Sequence, residues 1–194
     1  MSRKRSQLSP LKIQCRDSDC ENGLHYFKPT KAMRDKGRAG HCRYCDADVV
    51  DWTRLHKRVI HDIAYTFEAL KQEYVRLKMW RQPVDQKGVN HARRKGFNGL
   101  REATFRRIRR CMGSPNPPFD GRQTPRSGNA IYYAQHATAT CCRKCMEYWH
   151  GIPPDRDLTD EQVDYFTELV MEYIRRRLPF LTHDGEYVPP IRRC

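Results

Sequence analysis

Large aliphatic residues are scarce in the first fifty positions of this chain. Only Leu8, Leu11, Ile13, Leu24, Val49 and Val50 are available there, too few to fold such a segment on apolar burial alone. Long apolar runs are missing throughout, and none approaches the roughly 18 residues a membrane-spanning helix needs. The basic start, MSRKRSQLSPLKIQC, has no apolar signal-peptide core behind it. A cytoplasmic protein with reduced thiols is therefore expected. Negative charge is also short, with 23 Asp and Glu against 37 Lys and Arg, a formal net charge of +14. Such a balance points to a polyanionic partner, most often nucleic acid, and to no membrane. An acidic protein surface is the other partner that this charge would suit.

What is present is cysteine, nine in all. Seven of the nine fall into two clusters. The first joins Cys15-x4-Cys20 to Cys42-x2-Cys45; the second is Cys141, Cys142 and Cys145, flanked by His136 and His150. Thiolates on tight turns converge on a tetrahedral ion at about 2.3 Å, and two-residue gaps supply such turns. Four thiolates fill a zinc ion, so Cys15, Cys20, Cys42 and Cys45 read as a closed structural site of the zinc-ribbon or treble-clef kind. His25 or His41 are possible substitutes for one cysteine, and a rubredoxin-like iron site would use the same ligands. In the second cluster Cys142, Cys145 and His150 are well spaced, with Cys141, His136 or Cys111 as the fourth ligand. Filled, that site is structural. Left open, it holds a water near neutral pKa, a hydrolytic nucleophile. The expected metal set is therefore Cys15, Cys20, Cys42, Cys45, Cys141, Cys142, Cys145 and His150, holding two zinc ions.

With 194 residues the chain can bury one core together with a small metal-stapled module. The expected fold class is mainly α with small zinc-bound β or knuckle elements. Residues 1–14 read as a flexible basic arm, 15–50 as the zinc module, 51–178 as a mainly helical domain, and 179–194 as an extended tail. Trp52, Leu55, Val59, Ile63, Phe67, Leu70, Tyr74 and Leu77 step by three or four, which predicts one long helix ending near Pro83. Segment 91–112 carries Arg93, Arg94, Lys95, Arg101, Arg106, Arg107, Arg109 and Arg110 against Glu102 alone. A helix from about Asn98 to Cys111 would present these charges to phosphates. Residues 113–129 hold four prolines and three glycines and predict an irregular, functional loop. IYYAQHATA suits a short strand carrying His136. A final helix starts at the capping box of Thr159 and Gln162 and ends in Arg175, Arg176 and Arg177.

Two enzyme templates can be tested against the second cluster. A zinc nucleobase deaminase needs His-x-Glu followed by Pro-Cys-x-x-Cys; Thr138 and the missing proline exclude it. A metal-dependent nuclease with His136 as base survives as an alternative, with Asp120, Arg122 and Gln123 contacting phosphate or substrate.

At FDGRQTP and QHATATCCRKCMEYWHGIP the chain resembles a widespread bacterial family of unknown function, over roughly Phe67 to Leu178. The resemblance implies no activity. It implies one site made of Asp120, Arg122, Gln123, Thr124, His136, Cys141, Cys142, Arg143, Cys145, Trp149 and His150. The N-terminal cysteine module and the higher basicity depart from the family pattern and make a nucleic-acid role more plausible for this chain.

Overall fold

A computed structural model describes residues 13–191, so most of the basic arm expected at 1–14 lies outside the described residues. The described chain is mainly helical, and its only β pairing is a pair of isolated bridges. Its helices are α1 (Lys31–Asp35), α2 (Trp52–Leu55), α3 (Ile63–Leu70), α4 (Tyr74–Arg81), α5 (Gln86–Met112), α6 (Ala130–Ala137), α7 (Arg143–His150) and α8 (Asp160–Arg177). None of them is long and apolar enough to cross a membrane.

The larger core lies where α5, α6 and α8 meet. Leu100, Ile108 and Met112 on α5 are fully buried against Phe166, Leu169, Val170 and Tyr173 on α8. Each such side chain stabilises the fold by roughly 1.5–3 kcal/mol. The capping box forms as expected: Thr159 Oγ1 accepts from the Gln162 backbone N–H while the Gln162 side chain accepts from the Thr159 N–H.

Helix α5 starts twelve residues before the predicted Asn98 and is bent at Gly96, whose φ of 59° and ψ of −179° belong to a region that only glycine readily enters. The bend makes room for the chain's last segment. Thr182 and His183 carbonyls accept from the backbone N–H groups of Phe97 and Asn98, at 3.0 and 2.9 Å, and a Cβ on Gly96 would lie 2.3 Å from the Asp184 backbone. Residues 182–186 are thus seated on α5.

The single helix expected over residues 52–77 is broken into three. Arg58 takes φ of 52° and sends Nη1 to the His150 carbonyl at 2.8 Å, which ends α2. Between α3 and α4 the backbone of residues 72–74 pairs with His25: His25 N–H donates to the Gln72 carbonyl at 2.8 Å and Tyr74 N–H to the His25 carbonyl at 3.1 Å. The apolar periodicity survives the break because each short helix still faces the interior. The predicted strand at 130–138 is likewise a helix, α6. Asn129 caps it by accepting from Ile131 N–H at 2.9 Å, and its alanines pack against α4 and α8 without the crowding that favours a strand.

A second apolar cluster binds the N-terminal segment to the helical part. Phe27, Cys42, Val50, Leu55, Leu70, Cys141, Cys142, Cys145 and Trp149 are all buried in it. Phe27 and Trp52 both lean on the Trp149 indole, at ring-centroid distances of 5.6 and 5.1 Å.

Candidate metal centres

The N-terminal centre begins with a tight antiparallel bridge. Asp19 and Leu24 exchange both backbone hydrogen bonds, at 2.7 and 2.9 Å, across the 3-10 turn Cys20–Asn22 and left-handed Gly23. That turn places Cys20 and His25 side by side. Opposite them stands the knuckle Cys42-Arg43-Tyr44-Cys45, held by Cys42 N–H to the Ala47 carbonyl at 2.8 Å and Asp46 N–H to the Cys42 carbonyl at 3.0 Å. One ligand atom each from Cys20, His25, Cys42 and Cys45 lies within 4.8 Å of all the others. Cys20 and Cys42 sulfurs are 3.7 Å apart, and Cys45 Sγ is 3.3 Å from His25 Nδ1. A tetrahedral ion bound at about 2.3 Å spaces its sulfurs by about 3.8 Å, so the quartet fits one ion. His25 therefore stands where Cys15 was expected. Cys15 is exposed and outside the quartet.

The second centre is built by the block AQHATATCCRKC. Thr138 Oγ1 donates to the Ala134 carbonyl at 2.8 Å and meets Thr140 Oγ1 at 3.0 Å. Gln135 Nε2 donates to the Thr140 carbonyl at 3.1 Å, and Ala139 takes φ of 55°. This bonded turn ends α6 and delivers Cys141, Cys142 and Cys145, whose sulfurs all lie within 4.8 Å of one another. Cys141 and Cys145 are 3.6 Å apart, the spacing a single ion needs. All three cysteines are buried.

In the free protein these groups favour thiols. The Cys141 hydrogen bond and burial push Cys142 up to about 12, and burial with the neighbouring sulfurs pushes Cys20 up to about 12. Cys42 goes the other way: burial opposes its thiolate, but N–H groups of the Tyr26 and knuckle backbone bring it to about 6. An ion deprotonates coordinating thiols outright.

Beside the second centre lies a buried ion pair that the sequence pattern did not announce. Arg76 is 1% exposed and Glu73 is fully buried, with Nε donating to Glu73 Oε2 at 2.8 Å. Arg76 Nη2 donates to Cys145 Sγ at 3.2 Å and to Tyr148 Oη at 2.9 Å, and Nη1 to the His136 carbonyl at 2.7 Å. Glu73 also accepts from Trp149 Nε1 at 2.6 Å and from Tyr148 Oη at 3.1 Å. The pair links the metal cysteines to the second apolar cluster. A charged i,i+3 pair inside an otherwise apolar stripe was the available signal.

His150 does not join the cysteines. Its Nε2 hydrogen-bonds to the Thr138 carbonyl at 2.9 Å, and its ring packs edge-on against Phe166 at 5.0 Å. Complete burial holds it neutral, at about 3. His136 faces the cavity beside the centre, with Nε2 donating to the Thr124 carbonyl at 3.1 Å; burial and the Arg76 charge hold it down at about 4.

The loop 113–129 is irregular, as expected, and several of its residues brace the site. Asp120 Oδ1 accepts from Gln123 Nε2 at 3.2 Å and from the Lys144 backbone N–H at 3.4 Å, at the start of α7. Gln123 in turn accepts from Gly121 N–H at 2.9 Å. Thr124 Oγ1 donates to the Cys141 carbonyl at 2.9 Å. Arg143 is buried and donates to the Met112 and Arg156 carbonyls at 3.2 and 2.8 Å. Arg122 alone of the expected loop trio lines the cavity, which measures about 470 Å³ and includes Lys28, Arg126, His136, Lys144 and the three cysteines in its walls.

The arginine-rich helix is largely occupied. Arg93 pairs with Glu186, Arg101 with Glu168 and Arg109 with Asp160. Arg106 reaches Glu102 at 3.2 Å, and Arg94 bonds the Val188 carbonyl at 3.2 Å. Arg107 is a brace, donating to Gln135 Oε1 at 2.7 Å and the Gln123 carbonyl at 2.9 Å. Among the described residues only Lys95 and Arg110 of this set make no such bond.

No solved structure matches this chain. The family profile described as Domain of unknown function (DUF4186) matches residues 64–175. That span contains the three-cysteine centre with Glu73 and Arg76, and excludes the Cys20/His25/Cys42/Cys45 centre. The chain belongs to the DUF4186 family and adds to it an N-terminal Cys/His module.

Proposed function

We propose that this protein is a two-zinc, nucleic-acid-binding protein whose phosphate contacts centre on the cavity above Cys141, Cys142 and Cys145. One observation carries the reading: Lys28, Arg122, Arg126 and Lys144 line the same cavity as three cysteines spaced to hold a metal ion. Four cations on one concave wall focus a positive potential where an anion can reach it. The cavity volume is in the range of small-ligand sites, enough for a nucleotide unit of a strand whose neighbouring phosphates meet the remaining basic surface. Zinc is the ion that suits the Cys3His donor set of the first centre and its compact tetrahedral spacing. The bonded arginines of α5 contribute less, because their charge is already partly matched by Glu168, Glu186 and Asp160.

The test is binding to single- and double-stranded oligonucleotides over a salt series. Log affinity should fall steeply with log salt, and reversing Arg122, Arg126 and Lys144 to Glu should flatten the slope more than reversing Arg106, Arg109 and Arg110. Salt-independent binding, or none at low salt, contradicts the reading.

A second reading, metal-dependent hydrolysis of nucleic acid, is favoured by the count of three protein ligands and by His136 in the same cavity wall. It requires an open coordination position for water. His136→Ala should then abolish turnover with metal content unchanged. The two readings part at the fourth position.

A further inference from the structure

Cys15 is left over by the first centre, since His25 completes that quartet. It nevertheless has a defined place. Asp17 N–H donates to the Gln14 carbonyl at 3.1 Å, and Gln14 N–H to Asp17 Oδ2 at 2.8 Å, so residues 14–17 form a tight turn with Cys15 and Arg16 at its tip. Both sides of this turn are tied down. Arg126 Nη1 donates to the Ile13 carbonyl at 2.7 Å, and Tyr44 Oη donates to the Arg16 carbonyl at 3.0 Å. Ile13 itself is buried in the larger core. Arg126 belongs to the cavity wall and Tyr44 to the first knuckle, so both centres take part in holding this one turn. Cys15 lines the same cavity as Cys141, Cys142 and Cys145.

We propose that Cys15 is the fourth ligand of the three-cysteine centre, so that one ion clamps the added N-terminal segment onto the family domain. The three buried sulfurs lie within 4.8 Å of one another and leave a tetrahedral ion one position short, and Cys15 stands in the wall of the cavity they face. The Cys15 side chain is exposed and its sulfur stands outside the group of three, so ligation takes an inward rotation of that side chain on the fixed turn. On binding, its S–H proton passes to solvent and its sulfur replaces one water on the ion. Four thiolates on a divalent ion leave a net charge of −2. The Arg76 guanidinium, already on Cys145, and the cationic cavity wall offset that charge. His136 is the rival ligand, but its Nε2 is held by the Thr124 carbonyl. The family match covers Cys141, Cys142 and Cys145 and does not reach Cys15.

The inference rests on the reading that this centre holds a metal, and metal content measured separately shows whether that holds. Full-length protein is loaded with zinc, and in parallel with cobalt, whose absorption reports the number of sulfur ligands. Wild type should bind two ions per chain, one of them with a sulfur-only spectrum. Cys15→Ser should convert that spectrum to a three-sulfur one and weaken the ion by more than the roughly 10- to 100-fold that loss of a supporting partner costs. Cys15→His should restore a tetrahedral site with one nitrogen. In zinc-loaded wild type, Cys15 should resist alkylation, with Cys111 as the internal reference, and should become reactive when zinc is stripped. An unchanged cobalt spectrum in Cys15→Ser, free alkylation of Cys15 in the loaded protein, or a second centre that takes up no metal would each overturn the proposal.

Discussion

The Arg76 guanidinium lies 3.2 Å from the Cys145 sulfur and is fully enclosed by the Glu73 carboxylate, the Tyr148 hydroxyl and the His136 carbonyl. A buried cation on a thiolate ligand favours the charged form of the sulfur and fixes the direction of its lone pairs. Replacing Arg76 by Met removes this support and strands Glu73 in the interior. Losing one member of a buried pair costs about 3–5 kcal/mol. Urea denaturation should show a loss of that size, and zinc should leave the second centre first in a chelator competition. A variant with wild-type stability and zinc retention would mean that the pair is incidental.

Gly96 is the second test of the fold. Alanine there must enter a glycine-only backbone region and meet the Asp184 carbonyl oxygen at 2.5 Å. Strain of that kind costs on the order of 1–3 kcal/mol, and the tail should detach to relieve it. Gly96→Ala is expected to lower the midpoint of thermal unfolding and to increase proteolysis near residues 182–188. Gly99, whose neighbour is only the Lys95 side chain at 3.3 Å, serves as the control and should tolerate alanine.

A pH dependence follows from His150. Burial holds its folded-state pKa at about 3, whereas the unfolded chain titrates near 6.5. Between those values the unfolded chain binds the extra proton. This contribution to stability is therefore full above about pH 6.5 and is lost progressively as pH falls toward 3. Imidazole resonances of His150 in the zinc-loaded protein should not shift between pH 8 and 5. A midpoint near 6.5 would show that the ring is solvated and not seated on Phe166.

What could be read in the sequence was the chemistry that spacing encodes. The Cys42-x2-Cys45 knuckle, the convergence of Cys141, Cys142 and Cys145, the Thr159 capping box and the irregular loop at 113–129 all rest on local geometry. The exchange of Cys15 for His25 was not legible, because a six-residue span allows either residue and only the Asp19–Leu24 bridge decides. Periodicity failed at residues 52–77 for a similar reason: the apolar stripe is genuine, but His25, about fifty residues upstream, pairs with the backbone at Gln72 and Tyr74 and breaks it. The segment IYYAQHATA suited a strand, but Asn129 caps a helix there. His150 had ligand spacing, yet the turn through Ala139 gives its ring a carbonyl and an aromatic wall instead of an ion.

The charge on α5 separates into braces and free cations. Arg107 ties Gln135 to the loop that holds Thr124, so Arg107→Ala should perturb the second centre, read as faster zinc release. Arg110→Ala should leave zinc untouched. If instead both alter zinc release equally, the brace has no specific role.

Two separate metal centres are proposed for this chain, one closed by a histidine and one made of sulfur alone. Zinc stoichiometry combined with X-ray absorption at the zinc edge measures both directly. Two zinc ions per chain are expected, with an average first shell of sulfur and about one nitrogen in eight ligands, the nitrogen vanishing in His25→Cys with both ions retained. A single ion per chain, or a nitrogen contribution that survives His25→Cys, would contradict this.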